Sequence, residues 1–138
     1  MSDAPARINR LDATRVLVYS DDAGTRAQVI SALGDYPPSG LPPFVYIEIA
    51  TAAAVIAQMD AGSIDLVILD GEAAPAGGMG IAKQLKDEID PCPPILVLTG
   101  RPQDNWLAKW SQAEAVVPRP IDPFTLTAAV VDILLPVT

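Results

Sequence analysis

The sequence predicts a doubly wound α/β fold, in which helices cover both faces of a five-stranded parallel sheet. Five short apolar runs alternate with stretches whose apolar residues have helical spacing, and half of the 138 residues are hydrophobic. Apolar strands of this kind are buried on both sides of a parallel sheet, which needs a crossover helix between successive strands. The length fits one domain, expected at residues 15–138 after an N-terminal tail at residues 1–14.

The five predicted strands are short runs rich in β-branched and other apolar residues, and turn-forming residues bound them. The third run, which ends at Asp70, is the most hydrophobic of the five. In chain order, the predicted strands are residues 15–19, 44–49, 64–69, 95–98 and 115–117.

The predicted helices alternate with these strands, and capping residues mark several of their ends. Thr51 and Asp122 are predicted N-caps, because a side-chain oxygen at that position accepts a hydrogen bond from the first helical turn. Gly34 is a predicted C-terminal cap of the first helix. The helices are predicted from Ala23 to Leu33, from Thr51 to near Gly62, around Ile81, Ala82 and Leu85, from Gln103 to Ala113, and from Pro123 to Leu135.

The composition excludes several classes of function. The 9 Lys and Arg residues against 17 Asp and Glu residues give a net charge of −8, which repels phosphate backbones and anionic lipid. We therefore expect no direct nucleic-acid partner and no membrane partner. The sequence has no histidine, which excludes serine-type triads and imidazole metal sites. With no signal peptide and no apolar run near ~18 residues, a cytoplasmic location is expected.

Polar residues follow four of the predicted strands, at the edge of the sheet where ligands bind in doubly wound folds. They are Ser20, Asp21 and Asp22 after the first strand, Asp70 and Glu72 after the third, Thr99 after the fourth and Arg119 after the fifth. Carboxylates that converge there repel one another unless a cation neutralises them, and hard oxygen ligands suit Mg²⁺. A hydroxyl and a fixed cation opposite them would hold the oxygens of a phosphoryl group.

This order of residues resembles the receiver domain of two-component response regulators, the CheY-like family, from Arg15 to Leu135. The resemblance implies the flavodoxin-like sheet order 2-1-3-4-5. It also implies that Asp70 accepts a phosphoryl group from a partner's phosphohistidine. Thr99 matches the family's fourth-strand hydroxyl, and Arg119-Pro120 matches its fifth-strand lysine and proline, which are joined by a cis peptide bond.

The resemblance further implies Mg²⁺ bound by Asp21, Asp70 and the backbone carbonyl of Glu72, with Asp22 as an additional candidate ligand. Several departures from the family pattern make this receiver atypical, and two of them fall on the predicted site. Ser20 replaces one carboxylate of the acidic pair, and loss of such a partner typically costs about 10–100-fold in metal affinity, so a weak or absent metal site is predicted. Arg119 replaces the lysine that contacts the phosphoryl group. The alternative is that Arg119 pairs with Asp21 or Asp70 and substitutes for the metal.

Trp106 and Trp110 lie on one face of the fourth predicted helix, because residues four apart are neighbours on a helix. Leu107, Ala108 and Ser111 match the positions that face the sheet in receivers, which turns at least one tryptophan toward solvent. Exposed tryptophan is enriched at binding hot spots, so both residues are predicted contacts for a protein partner. The alternative is that both pack in the core.

Together these residues predict a receiver in phosphorelay signalling. Because the chain ends just after the fifth predicted helix, we expect a stand-alone receiver that a sensor histidine kinase or phosphotransfer protein phosphorylates on Asp70. We expect it to act by docking to a downstream protein and not to be an enzyme beyond the chemistry of its own phosphoryl group. The alternatives are an adaptor that is never phosphorylated and a small-ligand-binding flavodoxin-like module. A homodimer is left open.

Overall fold

A computed structural model describes residues 13–37, 40–73, 77–100 and 110–135, which contain a five-stranded parallel sheet of order β2-β1-β3-β4-β5. The strands are β1 (Thr14–Tyr19), β2 (Phe44–Ile49), β3 (Leu66–Asp70), β4 (Ile95–Thr99) and β5 (Ala115–Pro118). The predicted doubly wound fold and the sheet order 2-1-3-4-5 are confirmed. Because β2 lies on one side of β1 and β3 on the other, the switch point of the strand order falls between β1 and β3.

Four helices have complete bounds within the described ranges: α1 (Ala23–Leu33), α2 (Ala52–Ala61), α3 (Gly78–Glu88) and α4 (Pro123–Leu134). Thr51 and Asp122 are N-caps as predicted, and Asp22 caps α1 in the same way. Trp110 and Ser111 are helical, but the predicted helix at 103–113 falls mainly on residues 101–109, which lie outside the described residues. Among the helices that the structure describes, none has the length and hydropathy to span a bilayer.

The third strand begins at Leu66 and not at the predicted Ile64. Ser63 has a positive φ of 70°, and the Asp65 carboxylate accepts a hydrogen bond from the backbone N–H of Arg15 at 2.9 Å. The backbone N–H of Arg15 therefore bonds to a side-chain oxygen at the position where the hydrogen-bond ladder between β1 and β3 would otherwise start. Ile64 is buried although it precedes the strand. Its apolar character therefore reflects burial and not membership of β3.

The central strands are buried on both sides, since every residue of β3 and of β4 is buried. On one face, Leu69 packs in a core layer with Leu85 of α3. On the other face, Ile68 packs in a second layer with Leu126 of α4. Burying one such side chain contributes about 1.5–3 kcal/mol, so the two layers fix the position of the strand ends.

The strand register brings the predicted site residues to one edge of the sheet. Tyr19 is paired with Leu69, Asp70 with Leu98, and Thr99 with Pro118. The residues at or just after these strand ends therefore lie side by side, in the order Ser20, Asp70, Thr99 and Arg119 across the sheet.

Candidate functional site

Asp70 is the last residue of β3 and is almost fully buried, at 3% exposure. Its Oδ2 accepts a hydrogen bond from Ser20 Oγ at 2.8 Å. Its Oδ1 accepts one from the backbone N–H of Glu72 at 2.9 Å and forms an ion pair with Arg119 Nη2 at 2.5 Å. Both carboxylate oxygens are therefore held in place by donors from three different parts of the chain.

Arg119 follows β5 and reaches across the end of β4 to Asp70. Its backbone N–H donates to the carbonyl of Thr99 at 2.9 Å, and its peptide bond to Pro120 is cis. Its Nη1 lies 3.5 Å from Thr25 Oγ1. Of the two carboxylates predicted as alternative partners of Arg119, the structure pairs it with Asp70.

Two donors beside Asp70 have no hydrogen-bond partner among the described residues. They are the hydroxyl of Thr99, a residue with 0% exposure, and the Nε–H of Arg119. A buried donor without an acceptor costs about 1–3 kcal/mol. An anionic group bound next to Asp70 would supply acceptors for both.

The end of β1 is built differently. Ser20 is fully buried, and its carbonyl accepts a hydrogen bond from Arg26 Nη1 at 2.6 Å. Asp22 Oδ1 accepts from the N–H of Gly24 at 3.1 Å and Asp22 Oδ2 from the hydroxyl of Thr25 at 2.9 Å. The Thr25 hydroxyl, followed by the Gly24 N–H, holds the pKa of Asp22 below its usual value. Asp22 is thus the N-cap of α1.

Asp21 is exposed, between the buried Ser20 and the capping Asp22. Its charge still acts on this edge of the sheet. The pKa of Tyr19 is raised first by burial, and further by the negative charges of Asp21 and Asp70. Asp21 and Asp70 thus place two negative charges near the end of β1, and Arg119 offsets that of Asp70.

The predicted Mg²⁺ ligands are not joined by a third metal-binding side chain in the described part of the chain. Receiver domains in general bind Mg²⁺ in an acidic pocket. Here no three acidic, cysteine or histidine side chains within the described residues are grouped so that they could hold a metal. Ser20 contributes a neutral hydroxyl, Asp22 caps a helix, and Asp70 Oδ1 already contacts a guanidinium. Asp21 is then the second carboxylate of the predicted set, and a set of two carboxylates, one of them already paired with Arg119, is a poor fit to a dedicated magnesium site.

Glu72 enters the site through its backbone N–H, which donates to Asp70, while its side chain lies over Gly100. A Cβ at Gly100 would come within 2.5 Å of Glu72 Cδ. At the end of β3, a Cβ at Gly78 would lie 2.8 Å from the carbonyl of Asp70. Gly78 therefore allows close packing against Asp70, and Gly100 allows close packing against the side chain of Glu72.

Sequence reasoning did not identify Thr25, which connects Arg119 to the cap of α1. The signal was available, because Asp22 and Thr25 have the spacing of Asp122 and Thr125 at the start of α4. In both helices the threonine N–H or hydroxyl donates to the aspartate three residues earlier.

Of the two predicted partner-binding tryptophans, the structure describes Trp110. It is 50% exposed, while the next residue, Ser111, is fully buried. At least one tryptophan therefore faces solvent, as predicted. Trp106 lies outside the described residues.

Comparison with solved structures places this architecture among CheY-like receivers. The chemotaxis protein CheY4 of Vibrio cholerae has a TM-score of 0.70 at 22% identity, with 88% of this chain and 99% of that chain covered. A two-component response regulator from Clostridium difficile has a TM-score of 0.72 at 19% identity, covering 88% and 95%. At these identities the likeness defines the fold, which is that of a receiver domain.

Sequence relatives define the family. Two response regulatory proteins, from two strains of Mycobacterium tuberculosis, are each 62% identical over 122 residues, covering 88% of this chain and 92% of the relative. The chain belongs to the response regulators. No family model matches it. The predicted receiver is thereby confirmed, and neither the adaptor nor the small-ligand module is favoured over it. Receiver domains are in general signalling modules and not enzymes.

Proposed function

We propose that Asp70 accepts a phosphoryl group from a partner's phosphohistidine and that the phosphorylated protein acts by docking to another protein. One observation carries this proposal: a buried carboxylate lies next to two buried donors, Thr99 Oγ1 and Arg119 Nε, that lack partners among the described residues. A phosphoryl group on Asp70 brings acceptor oxygens to both donors, because Thr99 and Arg119 follow Asp70 in order along the same edge of the sheet.

The transfer is a displacement at phosphorus. A carboxylate oxygen of Asp70 attacks the phosphorus, the N–P bond of the phosphohistidine breaks, and its electron pair leaves with the imidazole nitrogen. Charge on the phosphoryl oxygens is offset by the guanidinium of Arg119 and by the Thr99 hydroxyl. These donors are already positioned by the fold, so they require little reorganisation when the charge arrives. Ser20 and the Glu72 N–H fix the orientation of the carboxylate.

The acceptor role is tested by labelling the purified chain with phosphoramidate in Mg²⁺-containing buffer, followed by intact mass spectrometry and peptide mapping. We expect one phosphoryl adduct on Asp70, lost in Asp70→Asn and retained in the control Asp87→Asn, which removes an exposed acid of α3. Thr99→Ala should slow labelling roughly tenfold or more, as loss of a positioned donor does. An adduct on another residue, or none, contradicts the proposal. A sensor histidine kinase or phosphotransfer protein is the expected physiological donor.

The docking surface is proposed at Trp110, with Trp106 as its predicted neighbour. Trp110 keeps half of its surface exposed, although tryptophan is a residue that proteins usually bury to a large extent. We expect Trp110→Ala to leave the melting temperature close to that of the wild type and to weaken binding of a protein that co-purifies with the phosphorylated chain. A large loss of stability would instead assign Trp110 to the core.

A further inference from the structure

The cation that faces Asp70 belongs to the chain itself. Arg119 Nη2 contacts Asp70 Oδ1 at 2.5 Å, and the two side chains are only 26% and 4% exposed. On its other side, Arg119 Nη1 lies 3.5 Å from the hydroxyl of Thr25, which in turn donates to Asp22. The guanidinium is thus held between β3 and the start of α1, next to the switch point of the sheet.

Two of the three polar side chains after β1 are already engaged, so the exposed Asp21 is left as the second carboxylate that a divalent cation on Asp70 could use. Ser20 donates its hydroxyl proton to Asp70 Oδ2, and Asp22 uses both carboxylate oxygens to cap α1. A divalent cation on Asp70 Oδ1 would lie beside the guanidinium that contacts the same oxygen, and the two positive charges would repel each other.

We infer that Arg119 replaces the divalent cation in this receiver, so that phosphoryl transfer to Asp70 is independent of Mg²⁺. This inference rests on the proposed function, because it concerns phosphorylation of Asp70. The guanidinium is permanently charged and carries several donors in one plane, which lets it contact a carboxylate and a phosphoryl oxygen together. Its Nε–H, which has no partner among the described residues, is the donor left for the phosphoryl oxygen.

The first experiment compares phosphoramidate labelling of the wild-type chain in EDTA and in Mg²⁺. In this reaction the N–P bond breaks, ammonia leaves with the protons that the zwitterionic donor carries, and an O–P bond to Asp70 forms. We expect equal labelling rates in the two buffers. A rate that falls roughly tenfold or more in EDTA, the size of effect typical for an impaired metal site, overturns the inference but leaves the proposed function standing. If the chain is labelled in neither buffer, the inference and the proposed function are both overturned.

Removing the guanidinium charge provides the second test. In Arg119→Gln we expect labelling in EDTA to be strongly reduced and to be partly restored by Mg²⁺, because the cation can then approach Asp70. The matched control is Lys83→Gln, which removes a partly exposed cation of α3 that pairs with Asp87 and should remain metal-independent. Circular dichroism verifies that both variants are folded. If Arg119→Gln is labelled in EDTA as fast as the wild type, Arg119 is not the replacement cation.

Restoring the family pattern provides a binding readout that does not depend on labelling. Calorimetric titration of the wild type with Mg²⁺ should show no saturable binding. Ser20→Asp combined with Arg119→Lys adds a carboxylate next to Asp70 and replaces the planar guanidinium with a compact ammonium. Saturable Mg²⁺ binding should therefore appear in this double variant. Saturable binding to the wild type contradicts the inference even if the double variant does not fold.

Discussion

The ends of β1 and β3 both carry aspartates at the same edge of the sheet, but the two ends use them differently. At the end of β3, Asp70 is buried and takes its counter-charge from Arg119, two strands away. At the end of β1, Asp21 and Asp22 are exposed, and Asp22 is bonded within its own helix turn. An acid after a strand therefore becomes part of a site when long-range contacts bury it. An acid without such contacts accepts hydrogen bonds from the neighbouring residues of its own helix turn.

The start of α4 supports this distinction. Asp122 accepts hydrogen bonds from the N–H and the hydroxyl of Thr125, as Asp22 accepts from Gly24 and Thr25 at the start of α1. In both cases the hydrogen bond from the threonine hydroxyl is the largest cause that lowers the pKa of the aspartate. Asp22 thus behaves as an ordinary N-cap that happens to lie near a functional site.

The largest effect on stability is expected from removing the counter-charge of Asp70. Arg119→Met leaves a buried carboxylate without its cation and should lower the free energy of unfolding by about 3 kcal/mol. That value is at the lower end for a broken buried pair, because Arg119 keeps part of its surface in water. Urea unfolding in EDTA at neutral pH measures it.

Two further variants serve as controls for this measurement. Lys83→Met breaks the exposed pair with Asp87 and should cost less than about 1 kcal/mol. Adding Asp70→Asn to Arg119→Met should recover much of the loss, because no unpaired charge then remains buried. If the double variant is as unstable as Arg119→Met, the loss reflects the packing of Arg119 and not its charge.

A second pair of variants compares the packing at the two strand ends. Gly78→Ala places a methyl group 2.8 Å from the carbonyl of Asp70 and should destabilise the fold by about 1–3 kcal/mol. At Gly24 the nearest atom to an added Cβ is Asp22 Oδ1 at 3.4 Å, an ordinary contact. Gly24→Ala should therefore be neutral or stabilising by about 0.5 kcal/mol. Equal losses in thermal melts of the two variants would show that the β1 end is packed as tightly as the β3 end.

The sequence was sufficient to predict the fold and the residues at the edge, because strand patterns are local and parallel strands align their carboxyl ends. The bounds of β2, for example, follow from its composition and are the observed ones. The partner of Arg119 could not be chosen from sequence, since Asp21 and Asp70 are both acids within reach in principle. Only the register and the burial of Asp70 decide between them.

A smaller effect is expected at Thr25, which links the two ends of the site. Thr25→Val keeps the shape of this buried side chain but removes the hydroxyl that donates to Asp22 and faces Arg119. We expect a loss of about 1 kcal/mol, the usual net value of one hydrogen bond. Thr25→Ser retains the hydroxyl and should retain the Asp22 contact, so a similar loss in both variants would point to packing instead.

The smallest effect is a change in pH dependence at Asp22. Its pKa is lowered in the folded chain, first by the Thr25 hydroxyl and then by the Gly24 N–H. The unfolded chain therefore binds the proton more readily, and the charged cap stabilises the fold above the ordinary aspartate pKa of about 3.9. This stabilisation is lost as the pH falls through the lowered pKa of the folded chain. Urea unfolding along a pH series should show that stability falls less steeply at acid pH in Asp22→Asn, and likewise in Asp122→Asn, than in the wild type.

If Asp22 were a metal ligand, Mg²⁺ would stabilise the wild type but not Asp22→Asn at neutral pH. If Asp22 is only an N-cap, the difference in the free energy of unfolding between the wild type and Asp22→Asn should be the same with and without Mg²⁺.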